Sequence, residues 1–242
     1  KWSKDELAVI GMSSFGDTNL SSRFIKMGAN DFISKPFRAE ELFCRINQNL
    51  DLIENVRALN NAATKDFLTG LHNRRFFFDA AESIIAGAGR SGSPVAVALL
   101  DIDKFKAVND TFGHDAGDAV LVGLAGVLAA SVRKSDIVAR FGGEEFCLLL
   151  SGHDPDYLEA HFKKLLREVW ANRVPHEGTE LRVTASIGVV EATSNDIEAL
   201  IGEADALLYQ AKEAGRNRAL IKRAGDEKPL IVQGSAGAPT YD

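Results

Sequence analysis

The chain has 242 residues, 45% of them apolar and 26% charged, which is ordinary for a soluble globular protein and more than one typical domain needs. Its net charge of −6 argues against nucleic acid as the main partner, because phosphate-backbone binding needs a basic face; a free nucleotide needs only a few local cations. Cys44 and Cys147 lie far apart in apolar runs without metal-ligand spacing, so no disulfide framework is expected and a reducing cytoplasm fits. The longest apolar run, Ala119 to Ala130, is too short for a membrane span, and no signal peptide opens the chain, which begins at Lys1 rather than Met.

In chain order, residues 1–37 open with "LAVIGMSSFGD", a short apolar strand that runs into small hydroxylated residues. A helix-length stretch holding Phe24, Ile25 and Met27 follows, then "GANDFISKPF", a glycine turn, a second short strand and a Lys35-Pro36 step. This βαβ pattern has too few strands to bury both faces of a parallel sheet, so it reads as a truncated piece. Residues 38–64 lack Gly and Pro and fit a heptad frame. Ala39, Ile46, Ile53 and Asn60 take one core position, and Leu42, Asn49, Val56 and Ala63 the other. Asparagines weaken such a seam and can set the register of a parallel pair. A dimeric coiled coil and a solvated connector packed on its own domain are equally supported.

Residues 65–223 alternate helix and strand. The helix "NRRFFFDAAESIIAGAG" precedes the strand "PVAVALLDID", and a second helix, "GDAVLVGLAGVLAASVR", precedes a hairpin around "GGEE". The helix "DPDYLEAHFKKLLREVWANR", the strand "LRVTASIGVVEA", the helix "NDIEALIGEADALLYQAKEAG" and the strand "NRALIKR" complete the region. Mixed hairpin and crossover connections predict an α/β fold with a partly antiparallel central sheet flanked by helices. Residues 224–242 are rich in Gly, Pro and small polar residues and read as a disordered tail.

The chemistry concentrates in a few places. Strand periodicity puts Asp101 and Asp103 on one face and Ile102 on the other, at the end of a buried strand where carboxylates are expensive unless solvated or metal-bound. The glycines of "FGGEEF" permit positive φ, so Glu144 and Glu145 project from a tight turn. If that hairpin neighbours the Asp101 strand, Glu144 and Asp101 make an all-oxygen site suited to Mg²⁺ or Mn²⁺. Taken singly, a solvated strand end and a polar hairpin explain these residues equally well. Between them, in a stretch read as a loop, Lys104 and Lys106 offer charge to phosphates. Asn109 and Asp118 suit a guanine edge, which presents an N1/N2 donor pair to a carboxylate; turn chemistry is their plainer use. Lys212 and Arg216, four apart near a helix end, reach for phosphates or simply complement the helix C-terminus.

Their joint order resembles the GGDEF family of diguanylate cyclases over about residues 64–223. "DFLTGLHNRR" (Asp66 to Arg75) is similar to the family's D-x-L-T-G-L-x-N-R-R opening, and "DIDKFKAVNDTFGHDAGD" to its nucleotide-binding segment. "RFGGEEF" resembles its signature turn in the GGEEF form, and "ASIGV" and "ALLYQAKEAGRN" its later blocks. The resemblance implies a fold like nucleotidyl cyclase and polymerase palm domains and the condensation of two GTP into cyclic di-GMP. By position it implies that Asp101, the Ile102 carbonyl and Glu144 bind two Mg²⁺ (or Mn²⁺) per active site, with Glu144 also the proton acceptor. Lys106 would stabilise phosphate charge, assisted by Lys212 and Arg216. Asn109 and Asp118 would hold guanine, with His114 nearby.

One base-reading set per chain implies a homodimer of half-sites, for which helix 38–64 would be the stalk. "RKSD" matches the family's R-x-x-D product-inhibition site, with Arg133 gripping phosphate and guanine and Asp136 pairing with a base edge. Residues 1–37 resemble the C-terminal half of a flavodoxin-like response-regulator receiver, with Ser13 as switch hydroxyl and Lys35-Pro36 as the lysine and its usually cis proline. The phosphoacceptor aspartate would lie upstream, and an upstream histidine kinase would act on the full-length protein. The alternatives are a catalytically silent sensor of cyclic di-GMP or GTP, and a receiver-driven interaction module.

Overall fold

The computed structural model describes residues 7–14, 20–154 and 156–234. The chain divides into two compact units, residues 1–63 and 64–242.

In the first unit, β1 (Ile10–Ser14) and β2 (Asp31–Lys35) pair in parallel around α1 (Leu20–Lys26), and the Lys35–Pro36 bond is cis. Gly11 faces the Phe24 and Phe32 rings so closely that a Cβ there would press on both. The helix α2 (Ala39–Thr64) is unbroken, as the absence of Gly and Pro predicts. Of the expected heptad positions, Asn49 and Ile53 are buried, Leu42, Ile46 and Val56 half-buried, and Ala39, Asn60 and Ala63 exposed; outside that frame Phe43, Leu50, Leu52 and Leu59 are exposed.

The second unit is built on a seven-stranded sheet in the order β11-β10-β9-β4-β6-β5-β3. Its central strand, β4 (Val95–Ile102), is buried along its whole length and pairs antiparallel with both β6 (Glu145–Ser151) and β9 (Ala185–Glu191). Beyond these, β5 (Ile137–Gly142) is antiparallel to β6 and β3 (His72–Asn73) parallel to β5. On the other side, β10 (Arg218–Lys222) is parallel to β9.

Alternation along β4 feeds two cores. Ala96, Ala98, Leu100 and Ile102 pack with α4 (Phe105–Phe112), α5 (His114–Ser131) and α6 (Tyr157–Ala171). Val95, Val97 and Leu99 pack with α3 (Arg74–Ser91) and α7 (Ile197–Glu213). Helix starts are capped where the sequence offers an acceptor: Asn73 accepts from the Phe76 N–H, and Asp196 from those of Glu198 and Ala199. Gly188 lets α7 lie directly on β9, because a Cβ there would strike the Ala204 carbonyl oxygen and the Leu208 amide nitrogen. That close approach fixes where the end of α7 meets the end of β4.

Three expectations are corrected. The stretch after β4 is a helix, α4, followed at once by α5, rather than a loop. A small antiparallel hairpin, β7 (Val174–His176) and β8 (Thr179–Leu181), precedes β9. The tail read as disordered from Ala224 contributes an edge strand, β11 (Leu230–Gln233), antiparallel to β10, which buries Val232. Residues 235–242 lie outside the described residues.

Candidate active site

The antiparallel register of β4 on β6 sets Asp101 opposite Glu145, so the GGEE turn stands beside the end of β4. In that turn Gly142 has φ +148° and Gly143 φ +52°, the left-handed freedom the two glycines supply. Glu144, half-buried, follows them. The arrangement crowds negative charge around Asp101, which is only 7% exposed. Burial pushes its carboxyl up to about 6; the Lys212 ammonium, 2.8 Å from Oδ2, pulls it down, and Glu144 and Glu145 push it up again. The end of α7 thus places one cation against a cluster of three acidic side chains.

Asp103, expected beside Asp101 on the same face, is fully engaged in the fold. Its Oδ2 accepts from Thr184 Oγ1 at 2.7 Å and the Asn217 N–H at 3.0 Å, and its Oδ1 accepts from Ser186 Oγ at 2.7 Å. It ties β4 to β9 and to the turn before β10.

Lys106 is exposed on the first turn of α4, and Asn109 is half-buried one turn on. Asn109 lies against Gly117 of α5, where a Cβ would collide with its amide oxygen. The glycine therefore makes room for the expected base reader, a role the sequence reading did not assign. His114 and Asp118 are exposed on the first turns of α5. Arg216 departs from expectation: α7 ends at Glu213, and Arg216 sits beyond it at φ +61°, its Nη1 donating to the Lys212 carbonyl at 3.4 Å.

A cleft of about 530 Å³ opens beside the signature turn, lined by Asp66, Phe67, Arg74, Asp118, Arg140 and Gly143 among others. Arg140 braces it. Its Nε and Nη2 donate to the Gly143 carbonyl at 3.0 and 2.8 Å, and its Nη1 pairs with Asp66 Oδ1 at 3.2 Å. Burial pushes the Asp66 carboxyl up, but bonds from the Thr69 hydroxyl and N–H and from Arg140 outweigh this and hold it below its ordinary value. Both residues belong to the motifs, but their meeting across 74 positions has no local signal in the sequence.

Arg133 and Asp136 lie in the turn before β5. The Asp136 carboxylate accepts from the Arg133 N–H at 2.9 Å and the Ser151 N–H at 3.1 Å. The exposed Arg133 guanidinium lies over the Tyr157 ring, 4.7 Å from its centroid.

Among the described residues no group of three or more His, Cys, Asp or Glu side chains forms a metal cluster, and no helix is long and apolar enough to cross a membrane. Two carboxylates with a strand-end carbonyl nevertheless fit a hard cation: the donors are all oxygen, and Asp101, its carboxyl raised mainly by burial, has Lys212 as its ion-pair partner beside two further acids.

Residues 63–218 match the family described as diguanylate cyclase, GGDEF domain. The response regulator PleD of Caulobacter vibrioides is 37% identical over 235 residues, which cover 90% of this chain and 51% of PleD. The diguanylate cyclase DgcP of Pseudomonas aeruginosa is 41% identical over 157 residues, 64% of this chain and 23% of DgcP. This chain therefore spans about half the length of PleD, and less of DgcP. Among solved structures, the coiled coil and GGDEF domain of DgcB from Caulobacter crescentus, in complex with c-di-GMP, is similar with a TM-score of 0.68 at 29% identity, covering 76% of this chain and 98% of that one. With its signature turn set beside Asp101 and its family match over most of its length, the chain belongs to the GGDEF-domain diguanylate cyclase family.

Proposed function

We propose that the chain condenses two GTP molecules into cyclic di-GMP and two pyrophosphates, across two copies of itself that each hold one GTP. The observation that carries this reading is the register that brings the GGEE turn to buried Asp101 and sets Glu144 and Glu145 beside it, with one lysine against them.

Asp101, the Ile102 carbonyl and Glu144 would hold the divalent cations. When bound, Mg²⁺ would supply charge neutralisation on the triphosphate and an acidified 3′-hydroxyl. Glu144 accepts the 3′-hydroxyl proton as that oxygen attacks the α-phosphorus of the GTP in the facing copy, and the bond to pyrophosphate breaks in line. Lys106, exposed and without an ion pair among the described residues, balances charge on the leaving phosphates. Lys212 and Arg216 assist from the end of α7. Asn109 and Asp118 read guanine, Asp118 accepting from N1–H and N2–H, with His114 at the rim.

Because each copy carries one base-reading set, encounter of two copies controls the rate, and α2 is the element we assign to bringing them together. Arg133 and Asp136 bind product and restrain the enzyme. The βαβ unit before α2, with its cis Lys35–Pro36 bond and Ser13 on β1, is read as the end of a receiver that gates this encounter, in the cytoplasm and under an upstream histidine kinase.

The test is incubation with GTP and Mg²⁺ and identification of the product by mass, beside Glu144→Ala. Cyclic di-GMP from the parent, reduced at least ~1000-fold in the variant, is expected. No product from either, even when two copies are joined through a fused coiled coil, would replace the enzyme with a nucleotide sensor acting through Arg133 and Asp136.

A further inference from the structure

Arg133 is exposed and carries its guanidinium over an aromatic ring. No carboxylate among the described residues lies within ion-pair distance of its guanidinium, yet the side chain is not left to wander. The Asp136 carboxylate pins its backbone N–H and, through the Ser151 N–H, ties this turn to the end of β6. Its guanidinium rests on Tyr157, the first residue of α6. Tyr157 is itself held. Its hydroxyl bonds His161 Nδ1 at 3.2 Å one turn along, and the two rings stack with centroids 5.2 Å apart. His153 stacks at 6.2 Å, while His161 meets Phe162 edge-on at 5.0 Å. His153 and His161 are buried, at 4% and 8% exposure, so this aromatic stack is anchored in the domain rather than loose on its surface.

We propose that Tyr157 is a positioning residue for the R-x-x-D site, an aromatic platform that holds the Arg133 guanidinium flat so that its N–H fork and free face meet a phosphate and a purine. This rests on the reading of Arg133 and Asp136 as the product site. An arginine with one face on a ring keeps its fork and opposite face available, and it gives up less side-chain freedom on binding than a solvated one. Tyr157 touches Arg133 and not the reacting atoms, so it sets product affinity and leaves the chemistry alone.

The test is calorimetric titration of the protein with cyclic di-GMP, beside initial turnover of GTP with product continuously hydrolysed. Tyr157→Leu, which keeps bulk but loses the ring, is expected to weaken binding by about two- to tenfold, the ordering cost of one arginine side chain that the platform removes. Tyr157→Phe and Tyr157→Trp should bind within about twofold of the parent, and initial turnover should be the same in all three. A Tyr157→Leu variant that binds like the parent, or a Tyr157→Phe variant as weak as Tyr157→Leu, overturns the platform. Arg133→Ala separates the two claims. If it leaves binding intact, the product-site reading falls and takes the platform with it; if it abolishes binding while Tyr157→Leu is silent, only the platform falls. Should Tyr157→Leu fail to fold, the parent still decides by NMR: Arg133 δ-protons shifted upfield by the ring, and remaining so in the complex, support the platform, and loss of that shift on binding overturns it.

Discussion

Asp101 and Asp103 stand two residues apart at the end of one strand, both nearly out of water, and their surroundings could hardly differ more. Asp103 receives two hydroxyls and a backbone N–H on its two oxygens. Asp101 has one lysine and two neighbouring glutamates, and its carboxyl is pushed up to about 6. A buried carboxylate whose acceptor sites are filled by fixed donors is part of the architecture. One that meets a single lysine beside further acids keeps acceptor capacity that the fold does not use. Burial alone separates nothing here; the donor count does.

The largest effect should come from breaking the saturated member. Asp103→Ala leaves Thr184 Oγ1, Ser186 Oγ and the Asn217 N–H without their acceptor in a buried site, at a cost of about 3 kcal/mol or more. At about pH 4.5, where folded Asp101 holds its proton, Asp101→Asn should change stability by less than about 1 kcal/mol while abolishing turnover. Urea unfolding of the two variants measures this. Equal destabilisation by both would erase the distinction.

The next effect sharpens the contrast through pH. In protein freed of divalent cations, Asp101 holds its proton more tightly folded than unfolded, since its carboxyl is raised from 3.8 to about 6. Its contribution is therefore fully present below the ordinary carboxyl value and is lost as pH rises through about 6. Between about pH 4.5 and 7.5 the parent should lose roughly 2 kcal/mol relative to Asp101→Asn, and added Mg²⁺ at the higher pH should restore stability to the parent alone. Parallel pH profiles for the two proteins would mean that Asp101 is not the strained group.

How much of this was legible beforehand follows from the range of the interactions. The strands through Val95–Ile102 and Ala185–Glu191, and the helices Arg74–Ser91 and Ile197–Glu213, announce themselves by period and caps. The ordered motifs point to Asp101 and Glu144 as neighbours, and the β4–β6 register puts the turn beside Asp101. Local reading failed where local chemistry pointed elsewhere. "KFKAVNDTF" carries Asn-Asp turn residues but is held helical by burial of Phe105 and Val108. Lys212 and Arg216 have helical spacing, yet Gly215, Arg216 and Asn217 all take positive φ and end the helix first. Edge strand β11 owes its order to pairing with β10, which a Gly- and Pro-rich composition conceals. Contacts far apart in sequence left no local trace: Arg140 meets Asp66 across 74 positions, and the Asn217 N–H meets Asp103 across 114.

Asp66 supplies the smallest and most discriminating effect, because it titrates in the opposite sense. Like Asp101 it is an acid at the mouth of the site, but the Thr69 hydroxyl and N–H and the Arg140 guanidinium hold its carboxyl down. Its contribution is therefore present above the ordinary value of 3.8 and disappears as pH falls through the lower, folded one. Asp66→Asn should cost about 1 kcal/mol near pH 6, the scale of a lost charge-assisted hydrogen bond, and the deficit should shrink as pH falls through the folded carboxyl's lowered value. The same substitution weakens the hold on Arg140, which braces the Gly143 carbonyl and so the turn that presents Glu144. A modest fall in turnover, about threefold, should accompany the stability loss, since the turn keeps its two glycines and one of its braces. If the deficit instead widened with acid, Asp66 would belong with Asp101 among the acids with raised carboxyls, and the brace would have to be sought in the backbone of the turn alone.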